Sequence, residues 1–316
     1  MQLGPHPVTL RQLQYLVAVA DQRSFRKAAE ACHVSQPSLS AQVAQAEEAL
    51  GVQLFERNQR RVALTPAGAE LMLRIRGLLN SADALVDAAA RLRDPFSGAL
   101  RLGLIPTVGP YLLPEIALPL RTKYPELTFL WTELQTAPLL RALSQGEVDG
   151  AILALVDEVL DYPRIDLGLD PFVLATPRDH RLGQSRRPIK ASELQGEHVL
   201  LLEDGHCFRD QALDLCARTG AEEASYRATS LPTLVQMAAG GVGITLLPAI
   251  SLPVENRHHS LQIRSFAPKP PTRTLSLVWR RGSAREVALT SVGEALKSAY
   301  ATFMKSVRTF ISAEPT

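Results

Sequence analysis

The chain has 316 residues, of which 46% are hydrophobic and 21% charged, and 34 lysines and arginines nearly balance 32 acidic residues. This length exceeds what one hydrophobic core usually holds, so we expect two or three globular domains. The net charge of +2 does not by itself indicate a nucleic-acid partner. Apolar stretches such as 242–252 are too short to cross a bilayer. The chain begins without an export signal and its three cysteines are too few for a secreted disulfide framework, which predicts a cytoplasmic protein with no membrane contact.

Residues 9–50 have the pattern of closely spaced short helices. Ser24 and Ser35 are placed to cap two of them, His33-Val34 forms the turn between, and Gly51 ends the second. A short helix, a tight turn and a second helix form a helix-turn-helix, whose second helix enters the major groove of DNA. The residues that we expect to face DNA at the start of this second helix are Gln36, Pro37, Ser38 and Ser40.

A hairpin with a basic tip follows this helix. Short apolar stretches at 52–55 and 62–64 flank the sequence ERNQRR. Arg57, Arg60 and Arg61 are therefore expected to reach the neighbouring phosphate backbone or the minor groove. The alternative is that they are solvated charges on an ordinary helical domain.

A long helix begins at Thr65-Pro66 and carries apolar residues at alternating spacings of four and three. Such a heptad stripe predicts a partner helix, and the alternative is that the helix packs on its own domain. Asp94 to Gly98 stop the helix and form a hinge. The positions that we expect to mediate oligomerisation are Leu71, Ile75, Leu78, Leu85 and Leu92.

From residue 99 onward, predicted strands and helices alternate, which implies parallel sheets with helices on both faces. About 200 residues suit two such lobes, with a ligand cleft at the carboxyl ends of the strands. We therefore predict a DNA-binding domain in 1–65, a linker and dimerisation helix with its hinge in 66–98, and a regulatory domain in 99–316. In this division the first lobe holds about 99–168 with 272–316, and the second about 169–271.

The N-terminal region also has a characteristic order of capping, turn and wing residues. These are Ser24-Phe25, Ala28-Ala29, Ser35-Gln36-Pro37, Leu39-Ser40, Glu47, Leu50-Gly51, Leu54-Phe55-Glu56-Arg57, Thr65 and Gly68. In this order the segment resembles the winged helix-turn-helix of LysR-type transcriptional regulators. The resemblance implies two Rossmann-like lobes similar to periplasmic binding proteins, a dimer or tetramer, and partners in double-stranded promoter DNA and RNA polymerase. It also implies base contacts from Gln36, Pro37 and Ser40, with wing contacts from Arg60 or Arg61.

Two cysteines lie within the segment DGHCFRDQALDLC. Cys207 falls at the start of a predicted helix, beside His206 and Arg209, where a helix N-terminus and cationic neighbours favour the reactive thiolate. Cys216 lies nine residues on, so that a bond between the two sulfurs requires the helix to unwind or rearrange. From spacing alone, the plainer interpretation is that Cys216 is a small buried hydrophobe and Cys207 is incidental.

The same segment is very similar to the peroxide-sensing segment of OxyR-type members of the LysR-type family. This resemblance implies that Cys207 is oxidised by hydrogen peroxide and that Cys216 resolves the sulfenic acid. The residues expected to place the peroxide are Thr107, Thr136, Gly205, His206 and Arg209. No metal or cofactor is expected, and an enzymatic role as a thiol peroxidase leaves residues 9–65 unexplained. The alternative within the family is a regulator that binds a small organic anion and has structural cysteines.

Replacing the two wing arginines tests the DNA-binding prediction. Arg60→Ala combined with Arg61→Ala is expected to weaken binding to all sequences and to reduce the slope of log affinity against log salt by about 2, because each phosphate contact releases about one counterion. Fluorescence anisotropy over a range of salt concentrations measures both effects. A folded double variant with unchanged affinity and slope contradicts the wing assignment.

Overall fold

The computed structural model describes residues 6–58, 61–91, 94–185 and 187–312, without the side chains of residues 57, 58, 61 and 87–91. The chain divides into two compact units, Met1–Ala89 and Ala90–Thr316. Within the described part of the chain, no helix combines the length and apolar character needed to cross a membrane. Each unit has a hydrophobic core of its own.

The N-terminal unit is a helix-turn-helix followed by a two-stranded hairpin and a long helix. Thr9, Ser24 and Ser35 cap the first three helices with their side chains, and Gly51 ends the third with φ +68°, as a left-handed cap requires. The elements are α1 (Leu10–Gln22), α2 (Phe25–Ala31), α3 (Gln36–Leu50), β1 (Phe55–Asn58), β2 (Arg61–Leu64) and α4 (Pro66–Arg91).

The first hairpin strand begins at Phe55, three residues later than the sequence predicts. The buried carboxylate of Glu47 accepts hydrogen bonds from the backbone N–H groups of Leu54 (2.8 Å) and Phe55 (3.1 Å). The Val52 N–H also donates to the Glu47 carbonyl, at 3.1 Å. Residues 52–54 are thus held against α3 through their N–H groups, while the carbonyls of Gln53 and Leu54 accept hydrogen bonds from the Thr65 hydroxyl (2.8 Å) and N–H (3.0 Å) across the hairpin.

Helix α4 contributes its first half to the core of its own unit. Ile75 is only 5% exposed in that core, and Leu71 packs against it. The prediction that Ile75 faces a partner helix is therefore wrong, because the helix-turn-helix already covers it. Leu78 and Leu85 remain 57% and 72% exposed, whereas Leu92 lies outside the described residues.

The second unit is built on one twisted mixed sheet with strand order β4-β3-β5-β11-β6-β9-β7-β8, and β10 pairs with β6. Its strands are β3 (Gly98–Leu104), β4 (Leu127–Glu133), β5 (Gly150–Ala154), β6 (Arg164–Thr176), β7 (His198–Leu202), β8 (Glu222–Ala228), β9 (Ile244–Pro248), β10 (Gln262–Ser265) and β11 (Thr272–Trp279). Its helices are α5 (Gly109–Lys123), α6 (Thr136–Gln145), α7 (Cys207–Thr219), α8 (Leu231–Ala239), α9 (Leu252–Glu255) and α10 (Glu286–Ser312).

The alternation of elements predicts parallel sheets, and the observed sheet is mixed, with both parallel and antiparallel pairs. Strands β3, β4 and β5 are parallel, as are β7, β8 and β9, but β6 and β11 run antiparallel to each other and join the two halves. Strand β11 is also antiparallel to β5, and β6 is antiparallel to β9 and β10. Two connecting strands of opposite direction let the chain cross from one half of the sheet to the other and return.

The exposed leucines of α4 provide a test of self-association. Leu78→Asp combined with Leu85→Asp is expected to weaken association about 100-fold or more, because an unpaired charge buried at a helix–helix contact costs several kcal/mol. Analytical ultracentrifugation measures the resulting smaller species. Leu73→Asp, which changes a leucine that is 61% exposed on the same helix but outside the heptad stripe, is the control. An intact oligomer in the double variant contradicts assembly through these residues.

Candidate functional site

The start of α3 presents the predicted DNA-facing residues to solvent. Gln36 and Pro37 form its first turn after the Ser35 cap, and Gln36, Pro37 and Ser38 are exposed. Ser40 is half-buried, beside the fully buried Leu39. The capped turn therefore exposes one polar face while its opposite face is fixed in the core.

The wing is held to α3 by contacts that the sequence analysis did not identify. Besides the Glu47 bonds, helix α4 approaches the wing so closely that a Cβ on Gly68 would lie 2.2 Å from the Leu54 carbonyl oxygen. The sequence signal for these contacts is that Glu47 is an acidic residue next to the apolar stripe of α3. In the hairpin, Arg57 pairs with Val62. The side chains of Arg57 and Arg61, and the whole of Arg60, lie outside the described residues.

In the second unit, the predicted peroxide-site residues lie where parallel strands end. Thr107 follows β3, Thr136 begins α6 after β4, and Gly205 to Cys207 follow β7. The carboxyl ends of parallel strands are where α/β sheets bind ligands. The sheet thus directs segments from both of its halves towards one place.

Cys207 is the first residue of α7, and Cys216 lies in the same unbroken helix. Both thiols are free and buried, at 5% and 3% exposure. Burial raises the pKa of the Cys216 thiol, which keeps it protonated. Nine residues of helix separate the two Cα atoms by about 13 Å, whereas a disulfide needs about 5.5–6 Å. The two sulfurs therefore cannot bond while α7 stays helical.

His206 occupies the N-cap position of α7, directly before Cys207, and its side chain contacts the other half of the sheet. Its Nε2 lies 3.3 Å from Nε2 of Gln135, the residue before Thr136. Burial lowers the pKa of His206, and this effect outweighs the opposing influence of Glu203 and of a hydrogen bond with the Thr229 backbone. The imidazole is therefore neutral at pH 7.

Gly205 is in the left-handed region, with φ +97°, and a Cβ there would lie 2.9 Å from Oε1 of Gln135. The residue is glycine for both reasons: the backbone conformation and the close approach. Gln135 thus contacts both Gly205 and His206, a role that the sequence did not reveal, because it depends on a contact 71 residues away.

Thr107 is held by a buried arginine that the sequence analysis also missed. Arg273, on β11, donates to Thr107 Oγ1 (2.8 Å) and to the Thr107 carbonyl (2.9 Å). Its Nε donates to Asp170 at 2.9 Å, and both members of this ion pair are buried. The guanidinium also lies 5.8 Å from the ring centre of Phe208, the residue after Cys207. Because Thr107 Oγ1 accepts from Arg273, its own proton is left to donate elsewhere.

Thr136 brings a second hydroxyl to these strand ends. Its Oγ1 is buried, and it has no hydrogen-bond partner among the described residues. Leaving a buried hydroxyl without a partner costs free energy, so such an atom is a candidate ligand contact.

Arg209 does not take the position that the sequence analysis predicts. Its guanidinium donates to Glu223 (2.7 and 3.0 Å), Asp204 (2.9 Å) and the Leu202 carbonyl (3.0 Å). It is therefore already bound, which corrects the expectation that it contacts peroxide. The expected cationic surroundings of Cys207 are also wrong, since burial keeps His206 neutral and carboxylates compensate Arg209.

Two family models match this chain. The model for a bacterial regulatory helix-turn-helix protein of the lysR family matches residues 10–69, and that for a LysR substrate binding domain matches residues 93–301. A curated relative from Pectobacterium carotovorum subsp. carotovorum, the hydrogen peroxide-inducible genes activator, is 45% identical over 277 residues, covering 87% of this chain and 91% of that protein.

Two solved structures have a similar fold. A full-length cysteine-to-aspartate OxyR variant from Pseudomonas aeruginosa is 33% identical with a TM-score of 0.70, covering 94% of this chain and 95% of that one. A cysteine-to-serine mutant of Corynebacterium glutamicum OxyR, with hydrogen peroxide bound, is 33% identical with a TM-score of 0.66, covering 97% and 96%.

The buried ion pair predicts an asymmetric mutational effect. Arg273→Met is expected to destabilise the second unit by about 3–5 kcal/mol, because it leaves the Asp170 carboxyl without its partner in the core. Adding Asp170→Asn removes that ionisable group and is expected to recover at least half of the loss. Urea denaturation followed by the fluorescence of Trp279 on β11 measures both. Arg281→Met, at an exposed site, is the control, and an Arg273→Met variant as stable as this control contradicts a stabilising role for the ion pair.

Proposed function

The chain belongs to the LysR family of bacterial helix-turn-helix regulators, and from this premise we propose that it is a DNA-binding transcription regulator that senses hydrogen peroxide. Oxidation of Cys207 to a sulfenic acid, followed by a disulfide with Cys216, is the proposed signal. The genes under its control are those of the oxidative-stress response.

The proposed DNA contacts follow from the capped start of α3. Gln36, Pro37 and Ser40 contact base edges in the major groove, and Ser38 is near enough to the helix N-terminus to bind phosphate. Arg57, Arg60 and Arg61 contact the backbone beside the groove, which sets affinity more than sequence preference. Glu47 supports this arrangement, since its bonds to Leu54 and Phe55 fix the wing relative to α3.

One observation carries the sensing proposal: Cys207 lies at strand ends that also hold a buried, unpartnered hydroxyl on Thr136 and a neutral His206. Hydrogen peroxide both donates and accepts hydrogen bonds. Thr107 offers a donor because Arg273 already occupies its oxygen, and Thr136 offers either role. We assign the peroxide to these residues and to the Gly205 backbone.

The proposed reaction has two steps. The Cys207 thiolate attacks one peroxide oxygen, the O–O bond breaks, and the leaving hydroxide takes a proton to become water. The Cys216 thiol then attacks the sulfenic sulfur, so that an S–S bond forms and a second water leaves. Donors beside the leaving oxygen stabilise its developing charge in the first step.

The alternative of a small organic anion as the signal is less well supported. Neither Arg273 nor His206 offers an anion an uncompensated positive charge, because the buried Arg273 is already paired with Asp170 and burial keeps His206 neutral. The similarity to a peroxide-bound structure over nearly the whole chain also favours peroxide.

The same family membership supports proposals about assembly. We assign self-association into a dimer or tetramer to Leu78, Leu85 and Leu92, with residues 66–98 joining the DNA-binding and regulatory domains. Contact with RNA polymerase at promoters and a cytoplasmic location complete the proposal. A regulator of this kind needs one oxidation for each switching event and not many turnovers.

Thiol variants test the sensing proposal. Cys207→Ser is expected to abolish both peroxide oxidation and the transcriptional response, because it removes the nucleophile. Cys216→Ser is expected to react normally in the first step and then to stop at sulfenic acid or oxidise further. Thr136→Val is expected to slow the first step about 10²-fold, because it removes a hydrogen-bond donor. Stopped-flow kinetics and intact-mass measurement report each step.

Cys32→Ser is the matched control for these variants, because Cys32 is half-buried in the other unit and is expected to leave both steps unchanged. A Cys207→Ser protein that still responds to peroxide contradicts the mechanism and favours the small-anion alternative.

A further inference from the structure

The first turn of α7 is tied to its surroundings by four charged residues, which we call the charged cluster: Asp204, Arg209, Glu223 and Arg227. Arg209 binds both carboxylate oxygens of Glu223, at 2.7 and 3.0 Å, and one of Asp204, at 2.9 Å. Arg227 donates to Glu223 at 2.8 Å and to Asp204 at 3.3 Å. Two positive and two negative side chains thus link α7 to β8 and to the loop that precedes α7.

The contact between Arg209 and Glu223 is the strongest part of this cluster. The two side chains are 5% and 23% exposed, whereas Asp204 is 80% exposed and Arg227 49%. Ion pairs of exposed residues contribute little, but a sheltered bidentate arginine–carboxylate pair is both stronger and more directional. Hydrogen bonding by Arg209 also lowers the pKa of Glu223, so that it remains charged at neutral pH.

In the proposed mechanism this contact breaks after the first oxidation step and before the disulfide forms. Arg209 follows Cys207 by two residues, in the first turn of α7. Bringing Cys207 and Cys216 from about 13 Å to disulfide distance requires α7 to unwind between them, and an opening that includes the first turn separates Arg209 from Glu223. The residues assigned to peroxide make none of the hydrogen bonds of the cluster described above, so the first oxidation leaves it intact.

We propose that Glu223 is a positioning residue that acts through Arg209 and controls how fast the Cys207 sulfenic acid reaches Cys216. This inference rests on the proposed function. Glu223 thereby sets the division of the sulfenic acid between two fates. In one, the Cys216 thiol displaces water and forms the disulfide. In the other, a second hydrogen peroxide transfers an oxygen atom, which gives the sulfinic acid and water.

The test is Glu223→Gln in the full-length protein, with Glu222→Gln as the matched control. The control removes the same charge from the neighbouring residue of β8, whose carboxylate lies 3.8 Å from Nδ1 of the His198 imidazole. Glu223→Gln is expected to form the disulfide about 10-fold faster, because it loses the charged, bidentate acceptor of Arg209. At high peroxide its sulfinic acid fraction falls accordingly, while the rate of the first oxidation is unchanged.

Stopped-flow fluorescence gives the two rates, and quenching with a sulfenic-acid trap followed by mass spectrometry gives the fractions. Glu223→Asp, which keeps the charge, is expected to lie nearer the unmodified protein. Such a graded effect on one step is not expected from a general loss of stability, which urea denaturation measures separately.

Equal disulfide rates for Glu223→Gln and Glu222→Gln overturn this inference and leave the proposed function intact. A slower first oxidation in Glu223→Gln alone also overturns it, because Glu223 would then act on the peroxide step. If Cys207 fails to react with peroxide in the unmodified protein, the proposed function fails, and this inference fails with it.

Discussion

Two sulfurs on one rigid helix, nine residues apart, cannot meet. This conflict between the rise of an α-helix and the short reach of a disulfide governs the second unit. While α7 is intact, both thiols are buried in the core of the second unit, with Cys207 at the start of the helix and Cys216 nine residues along it. A bond between them can form only if α7 unwinds, so the formation of one disulfide requires a conformational change of the whole segment. The fold therefore couples thiol chemistry to shape without needing a ligand large enough to push the lobes apart.

The surroundings of α7 divide into two groups with different tasks. Arg273 and Asp170 form a fixed, buried pair in the connecting strands, and they hold Thr107 and lie against Phe208. The charged cluster, by contrast, lies partly in solvent and can be opened at lower cost. The rigid Arg273–Asp170 pair thus lies beside the weaker charged cluster, whose contacts can break more easily. Both contact the first turn of α7.

Local features of the fold could be predicted from the sequence, and non-local ones could not. The caps at Ser24 and Ser35 and the start of α7 depend on neighbouring residues, so pattern analysis placed them well. Strand β8 has a weak sequence signal, because EEASYRA forms a largely exposed edge strand without apolar alternation. The first half of strand β6 also has a weak signal, because its apolar residues alternate with polar ones and it includes Gly168.

The same distinction applies to the candidate site. Cys207, His206 and Thr136 were identified through motif resemblance, whereas Arg273 belongs to none of the motifs that carry this resemblance. Its role depends on Thr107, 166 residues away. Arg209 was assigned wrongly for the same reason, since Glu223 lies on a different element.

The burial of Cys216 also determines how the two proposed steps depend on the oxidant. Oxidation of Cys207 is bimolecular, so its rate rises with peroxide concentration. The step that consumes Cys216 is unimolecular, because both sulfurs belong to one chain, and in the proposed mechanism the protonated thiol, 3% exposed, reacts only after α7 opens. At low peroxide the rate of the response then follows the peroxide concentration. Once oxidation is faster than helix opening, the rate of opening alone sets the response time. Additional oxidant then over-oxidises Cys207 without a faster signal.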